Sequence, residues 1–479
     1  MRKNYPLVLR SLAALLVIVS SLAPFAKVHA GGLYMFDRGA RALSRGGAFV
    51  AGADDPSSLW YNPAGLADSK NQVLTDATLT VMLASYQRIN VGTGDNPDYQ
   101  YPSVKPKPTL LPIPTLAMSH TFGLRDFTFG AGIFAPNTIL MNWPQSVPIN
   151  GVNQPAPTRY SLIGLKGSVL SNLALGGAWH GIDGLSIGAD VQVVVGQFQV
   201  KTALSSCDRV ICSFPESPDF DGIATAKLVP AIAVTGVFGI TYDMKIMRVG
   251  ASVMLPYELK GQAKLNVALP SAPIFHGANI TGNKADLGLQ FPLIVRVGSE
   301  LRPIKAIRLE GAVVWEQWSS QDQIKIVPHN VTINNVTGIG NYQVGPVTLP
   351  RNMNNVWSLR GGYEVFVPRR WSPWGAKWAL RGGLAYEKGA FKKSAMTPLT
   401  LDSNKVILSG GFGVNLHKRV RFDTVAGYIF MQNLKVRDSN ITQPQAIRPS
   451  AEGFGTPLGN GNYKMDALFL GGGFAIDIN

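Results

Sequence analysis

Along most of this chain apolar and polar residues alternate with a period of two. In VWSLRGGYEVF, residues 356–366, Trp357, Leu359, Tyr363 and Val365 share one face, while Ser358, Arg360 and Glu364 share the other. WALRGGLAYE at 378–387 and VILSGGFGVNL at 406–416 repeat the pattern. Such alternation is the signature of a strand with one greasy and one polar face. Read forward, it predicts strands near 72–89, 110–123, 126–138, 159–180, 185–203, 223–242, 246–263, 285–302, 305–326, 355–367, 376–388, 404–416, 419–437 and 463–478. Most exceed the five or six residues usual in soluble sheets. They reach the roughly 9 to 11 residues that cross a bilayer at a tilt.

Alternation alone does not say whether the apolar face meets a protein core or lipid. The connections do. Short turns at 123–126, 181–184, 302–306 and 416–420 alternate with long Gly, Pro and Asn-rich stretches at 139–158, 204–222, 264–284, 327–354 and 438–462. An even strand number with short turns on one side and long loops on the other predicts an all-β transmembrane antiparallel barrel of about fourteen strands in a bacterial outer membrane, its polar faces lining the lumen. Only 15% of residues are charged, while glycine numbers 51 and aromatics reach 9%, as such a barrel requires. Residues 1–30 carry Arg2, Lys3 and Arg10, then the apolar SLAALLVIVSSLAPFA, and end in Val28-His29-Ala30, which reads as a cleaved export signal. The net charge of +15 suits an anionic surface such as lipopolysaccharide. The basic residues are scattered, which argues against nucleic acid.

With the barrel (72–479) starting near residue 72, residues 31–71 are too few for a domain of their own. They are also too apolar, in GGLYMF, GGAFVAGA and SSLWY, to trail in water. A fourteen-stranded barrel is wider than its own side chains fill, so this segment is expected to plug it. Here the chain resembles a known family: RALSRGGAFVAGADDPSSLWYNPAGLA is similar to the N-terminal hatch signature of FadL-type outer-membrane transporters, with Arg45, Asp54, Asp55, Asn62, Pro63 and Ala64 at matching positions. FPLIVRVGSELRPIKAIRLEGAVVWEQWSSQDQIKI, residues 291–326, resembles the family's strand pair centred on a Trp-Ser step, here Trp318-Ser319. The resemblance implies a monomeric hatch-filled barrel that passes long-chain fatty acids or other hydrophobic molecules inward and releases them sideways where the third strand kinks.

In that third strand Gly130 and Gly132 weaken the ladder and Pro136 lacks a donor, so either a wall opening or a simple strand end at the rim is expected. In the hatch, Pro63 fixes φ, Asn62 supplies donor and acceptor, and Ala64 permits close approach. The step is either a rigid turn docked on the wall, against the kinked strand, or an ordinary cap. Asp54 and Asp55 are expected to cap amides or to pair with lumen arginines such as Arg360 and Arg381. By the resemblance, Lys325 stands where fatty-acid-binding members hold the ligand head; Lys201 is a second candidate, and for both the alternative is solvent or lipopolysaccharide phosphate. Cys207 and Cys212 either close a small disulfide or remain free thiols. No complete metal-ligand spacing and no cofactor motif occur. The six histidines stand apart from any Gly-x-Ser-x-Gly elbow, which leaves a lipid-modifying enzyme without its nucleophile and base. A general polar porin is the other alternative, and it has no use for an apolar hatch.

Overall fold

The computed structural model describes residues 37–69, 71–92, 97–135, 141–165, 169–207, 212, 216–443 and 455–478. The expected export signal (1–30), the first residues of the hatch and Pro136 lie outside the described residues.

Fourteen antiparallel strands close into one barrel. They are β1 (Gln72–Asn90), β2 (Leu110–His120), β3 (Phe127–Phe134), β4 (Val169–Ile182), β5 (Leu185–Ser205), β6 (Asp221–Asp243), β7 (Met247–Met254 and Tyr257–Ala268), β8 (Lys284–Phe291 and Ile294–Ile304), β9 (Ile307–Glu316 and Gln323–His329), β10 (Val347–Pro350 and Val356–Phe366), β11 (Trp378–Glu387), β12 (Lys405–His417), β13 (Val420–Met431 and Leu434–Val436) and β14 (Gly461–Asp477). β14 closes on β1 from Gln72 opposite Asp477 to Arg88 opposite Gly461, which sets both strand ends beside the short turns. The opposite rim carries the long loops, three of which contribute to two small sheets.

The outward rows are apolar and open: Leu175 is 70% exposed, Ile232 67% and Leu470 60%. So continuous a greasy belt is stable only against hydrocarbon. Membrane crossing rests on these strands, since no described helix is long and apolar enough to span a bilayer.

The expected strands hold with local corrections. Pairing with β5 is seen from Gly164 and Leu165, opposite Lys201 and Val200, not from 159, because residues 159–163 form a turn at the mouth: Arg159 Nε lies 2.7 Å from Asp221 and Tyr160 Oη donates to the same carboxylate at 2.6 Å. β3 runs unbroken through Gly130 and Gly132, each paired on both sides, so these glycines do not interrupt the wall. β7 to β10 each break near one level, at 255–256, 292–293, 317–322 and 351–355. Pro256 and Pro292 lack the donor that would carry the ladder across, and a helical turn, Trp318–Ser320, interrupts β9. The result is a seam around one side of the barrel.

Candidate functional site

The seam divides the lumen into two chemistries. Below it, toward the short turns, inward positions are polar: Asp190 and Gln192 on β5, Arg248 and Ser252 on β7, Arg296 and Glu300 on β8, Glu310 on β9, Glu364 on β10. Above it the same faces turn apolar, with Phe198 and Val200 on β5, Leu259 and Leu265 on β7, Leu287 and Leu289 on β8, and Ile324 and Ile326 on β9 all buried in one cluster. The expectation of a polar lumen therefore holds for the lower half alone. In the upper half the alternation is inverted: the inner face lines a hydrophobic chamber, while Glu258, Lys260, Asp286, Gln290 and Lys325 point outward. Tyr257 and Phe291 stack there with ring centres 4.6 Å apart, and Trp318 is fully buried beside them in the same cluster.

Residues 37–69 fill the lower half. Their helices are α1 (Ala40–Ser44), α2 (Ser58–Tyr61) and α3 (Leu66–Ser69), with a tight turn, Pro63–Gly65, between the last two. None is long enough to be stable alone; the barrel wall holds them. One side of the segment is charged. Arg45 bridges Glu300 and Glu310 at 2.8 Å each, and Arg41 meets Glu364 at 2.9 Å and also Asp54. Glu310 further accepts the backbone N–H groups of Val50, Ala51 and Gly52 at 2.7, 2.8 and 3.2 Å. A buried carboxylate satisfied by three amides and a guanidinium avoids the heavy cost of a bare buried charge. The other side is greasy: Phe49, Leu59, Trp60 and Leu66 pack with Phe134, Ala117 and Ala174 of β2 to β4. Trp60 and Phe134 ring centres are 5.7 Å apart.

Asn62, Pro63 and Ala64 dock on the wall, and the surface that receives them is β5 to β7, not β3. Asn62 Nδ2 donates to Val50 O at 2.9 Å and to Ile240 O at 3.2 Å, while its Oδ1 accepts Ala64 N–H at 3.2 Å. The turn fits because the wall beneath it is glycine: a Cβ on Gly239 would sit 1.9 Å from Asn62 Oδ1, and one on Gly188 2.4 Å from Ala64 N. Asp55 caps Ser57 N–H at 3.0 Å, as expected of a capping acid. The charge partners differ from expectation: Asp54 pairs with Arg41 and Arg308, whereas Arg360 pairs with Asp37 and Arg381 with Glu364 and Asp423. On the plug Arg41, and on the wall Glu300, Arg308, Glu310 and Glu364, carry most of the network. For the wall residues the sequence signal was charge on the lumen-facing side of a strand whose other face is apolar.

Two recesses approach this plug. One, of 470 Å³, opens among the short turns and is lined by Arg41, Asp54, Arg308, Glu364, Arg381 and Arg421. The other, also 470 Å³, lies in the outer wall and is lined by Leu116, Ala117, Met118, Gly132, Ile133, Leu173, Ala174 and Leu175 among others. Immediately above it the wall is weakly laced. β2 pairs with β3 only from Thr115 to His120, and among the described residues no rung joins Leu110–Ile113 to β3. Pro114 O accepts Ala135 N–H at 3.3 Å, so Pro114 and, by the two-residue period, Pro112 present this edge with nitrogens that cannot donate. Proline in β2, rather than glycine in β3, is the sequence signal for the gap. Gly130 instead makes room for Leu66, which would lie 2.8 Å from a Cβ there.

Lys325 is exposed and turned outward, with Ile324 and Ile326 facing the chamber; Lys201, half-buried, lines an outer groove of 630 Å³ with Gln199 and Trp143. Neither reaches the lumen. Cys207 and Cys212 are disulfide-bonded, with Cα atoms 5.3 Å apart. Among the described residues no cluster of three metal-binding side chains occurs.

A family model described as outer membrane protein transport protein (OMPP1/FadL/TodX) matches residues 21–461. Among solved structures, a Pseudomonas aeruginosa FadL homologue superposes with a TM-score of 0.70 at 15% identity, covering 94% of this chain and 100% of that one. The P. putida toluene transporter TodX gives 0.61 at 14% identity, with 95% and 100% covered. The Ralstonia pickettii toluene transporter TbuX gives 0.54 at 16%, with 95% and 100% covered. At these identities the likeness is one of fold. Among curated protein sequences, none matches the chain.

Proposed function

The chain belongs to the OMPP1/FadL/TodX family of outer membrane transport proteins, and from that premise we propose that it takes up long-chain fatty acids or other hydrophobic molecules by diffusion, holds them in the upper chamber and releases them sideways through the wall at β2 to β4. The family is one of transporters, not enzymes.

The observation that carries this reading is the contrast between the two ways out of the chamber. A direct descent meets the charged recess and the buried ion pairs of Arg41, Arg45 and Glu364. An apolar molecule gains nothing there and would have to displace paired charges. The sideways direction is greasy instead, with Phe49, Trp60 and Leu66 on the plug and the thin, Ala and Gly-lined wall beside Gly132. Apolar solutes partition along apolar surface at roughly 25 cal/mol per Å², so the second path is downhill into the membrane. A general porin fits poorly, since residues 37–69 are almost wholly buried in the lumen it would need open. The charge of the wall above the membrane suits contact with lipopolysaccharide phosphates.

The test is uptake of radiolabelled oleate and toluene by cells lacking their own transporter, expressing this chain or a variant, Ala131→Trp, at an outward position that lines the recess. Uptake by the native chain, cut severalfold by a bulky side chain at the recess, is expected. Equal uptake by both would remove the lateral route, and no uptake above empty cells would remove the transport of these compounds.

A further inference from the structure

Resting on that uptake reading, we propose that Arg351, with Gln321 beside it, receives the anionic head group of an amphipathic cargo, so that long-chain acids are preferred over neutral hydrocarbons of the same length.

Arg351 lies in the β10 break and is 1% exposed. Its own amide donates to Asp322 O at 2.8 Å, which pins it next to the β9 break, where Gln321 is also 1% exposed. Nε, Nη1 and Nη2 of Arg351 and both polar atoms of the Gln321 side chain lack a hydrogen-bond partner among the described residues. The guanidinium sits over the Phe391 ring, 5.4 Å from its centre, within the apolar chamber. By contrast, Arg41, Arg45, Arg88, Arg381 and Lys405 each meet a carboxylate. A bare buried guanidinium costs several kcal/mol, and a carboxylate offered by the cargo fits its two-pronged donor edge, with the Gln321 amide as a further donor. The alkyl tail then lies against Trp318, Met353 and Phe391. Lys325 and Lys201 face outward and leave this role to Arg351.

Oleate and oleyl alcohol share a tail and differ in charge. Full-length protein in nanodiscs at pH 8, measured against empty nanodiscs, is expected to bind oleate more tightly than the alcohol. Arg351→Gln should weaken oleate about 10- to 100-fold, the range for a charged hydrogen bond, and leave the alcohol within about twofold; Arg351→Lys should recover part of the loss. Heat-modifiable gel migration reports whether each barrel is folded. Should Arg351→Gln not fold, the native acid-to-alcohol ratio and its narrowing in Gln321→Leu decide. Equal binding of acid and alcohol by the native protein, or an unchanged ratio in the variants, overturns the head-group assignment alone. Binding of neither compound overturns the uptake reading as well.

Discussion

Glu310→Ala tests whether the wall holds the plug through its charged side. The carboxylate accepts Val50, Ala51 and Gly52 N–H and one guanidinium nitrogen of Arg45. Val50 and Ala51 are fully buried, so their amides have no water to turn to. Each stranded N–H costs roughly 1 to 3 kcal/mol. Arg45 keeps Glu300 at 2.8 Å, which limits its own loss. Three amides at the low end give about 3 kcal/mol, and since 1.4 kcal/mol is a factor of ten, the loosened plug becomes about 100-fold more populated. Hydrogen exchange read by mass spectrometry on peptides covering residues 45–55 should accelerate by that factor, while the barrel strands keep their protection. Glu310→Gln, whose amide oxygen still accepts, should fall between. Exchange within about twofold of the native rate in Glu310→Ala would refute the reasoning.

Gly239→Val should have a related effect from β6, because its Cβ would overlap Asn62 Oδ1; faster exchange at residues 60–66 and ion leakage in planar bilayers are expected. Replacing Pro112 and Pro114 by threonine returns two donors to the loose edge of β2, and slower uptake of oleate and toluene is expected from a more tightly laced wall; unchanged uptake would place the exit elsewhere. Asp402 shares the Lys405 ammonium with Glu387, each at 3.1 Å, and burial pushes its carboxyl up to about 8, Lys405 pulling it back and Glu387 adding to the rise. A folded-state pKa above the ordinary carboxyl value means that the contribution is complete below about pH 4 and is lost as pH rises through 8. Exchange protection of residues 388–404, corrected for intrinsic rate, should therefore fall between pH 6 and 9 and stay level in Asp402→Asn.

Much of this architecture was legible in the sequence. A side-chain period of two, with lipid on one side, repeats strongly enough in segments such as 356–366 and 378–387 to fix strand number, direction and the sidedness of loops. The buried N-terminal segment was legible from its length and greasiness. Alternation misled where its sense inverts along a strand, as at Gln197 to Val200 of β5, whose apolar residues face inward, because it records polarity and not what each face touches. The docking surface of Asn62 was hidden for a different reason. It depends on Gly188, Gly239 and Gly250 meeting at one level on three strands, and that alignment is a property of register, invisible in any one strand. Arg351 was missed because its meaning lies in what is absent around it, whereas Lys325 drew attention by position and proved to face outward.

The plug's two sides are fastened unequally, by buried charge pairs toward β8 to β13 and by soft side-chain contact toward β2 to β4. On the proposed lateral route, cargo edges past the yielding side while the locked side stays shut to ions. The same proposal assigns leak resistance and choice of passenger to separate sets of residues, so that either can drift without spoiling the other.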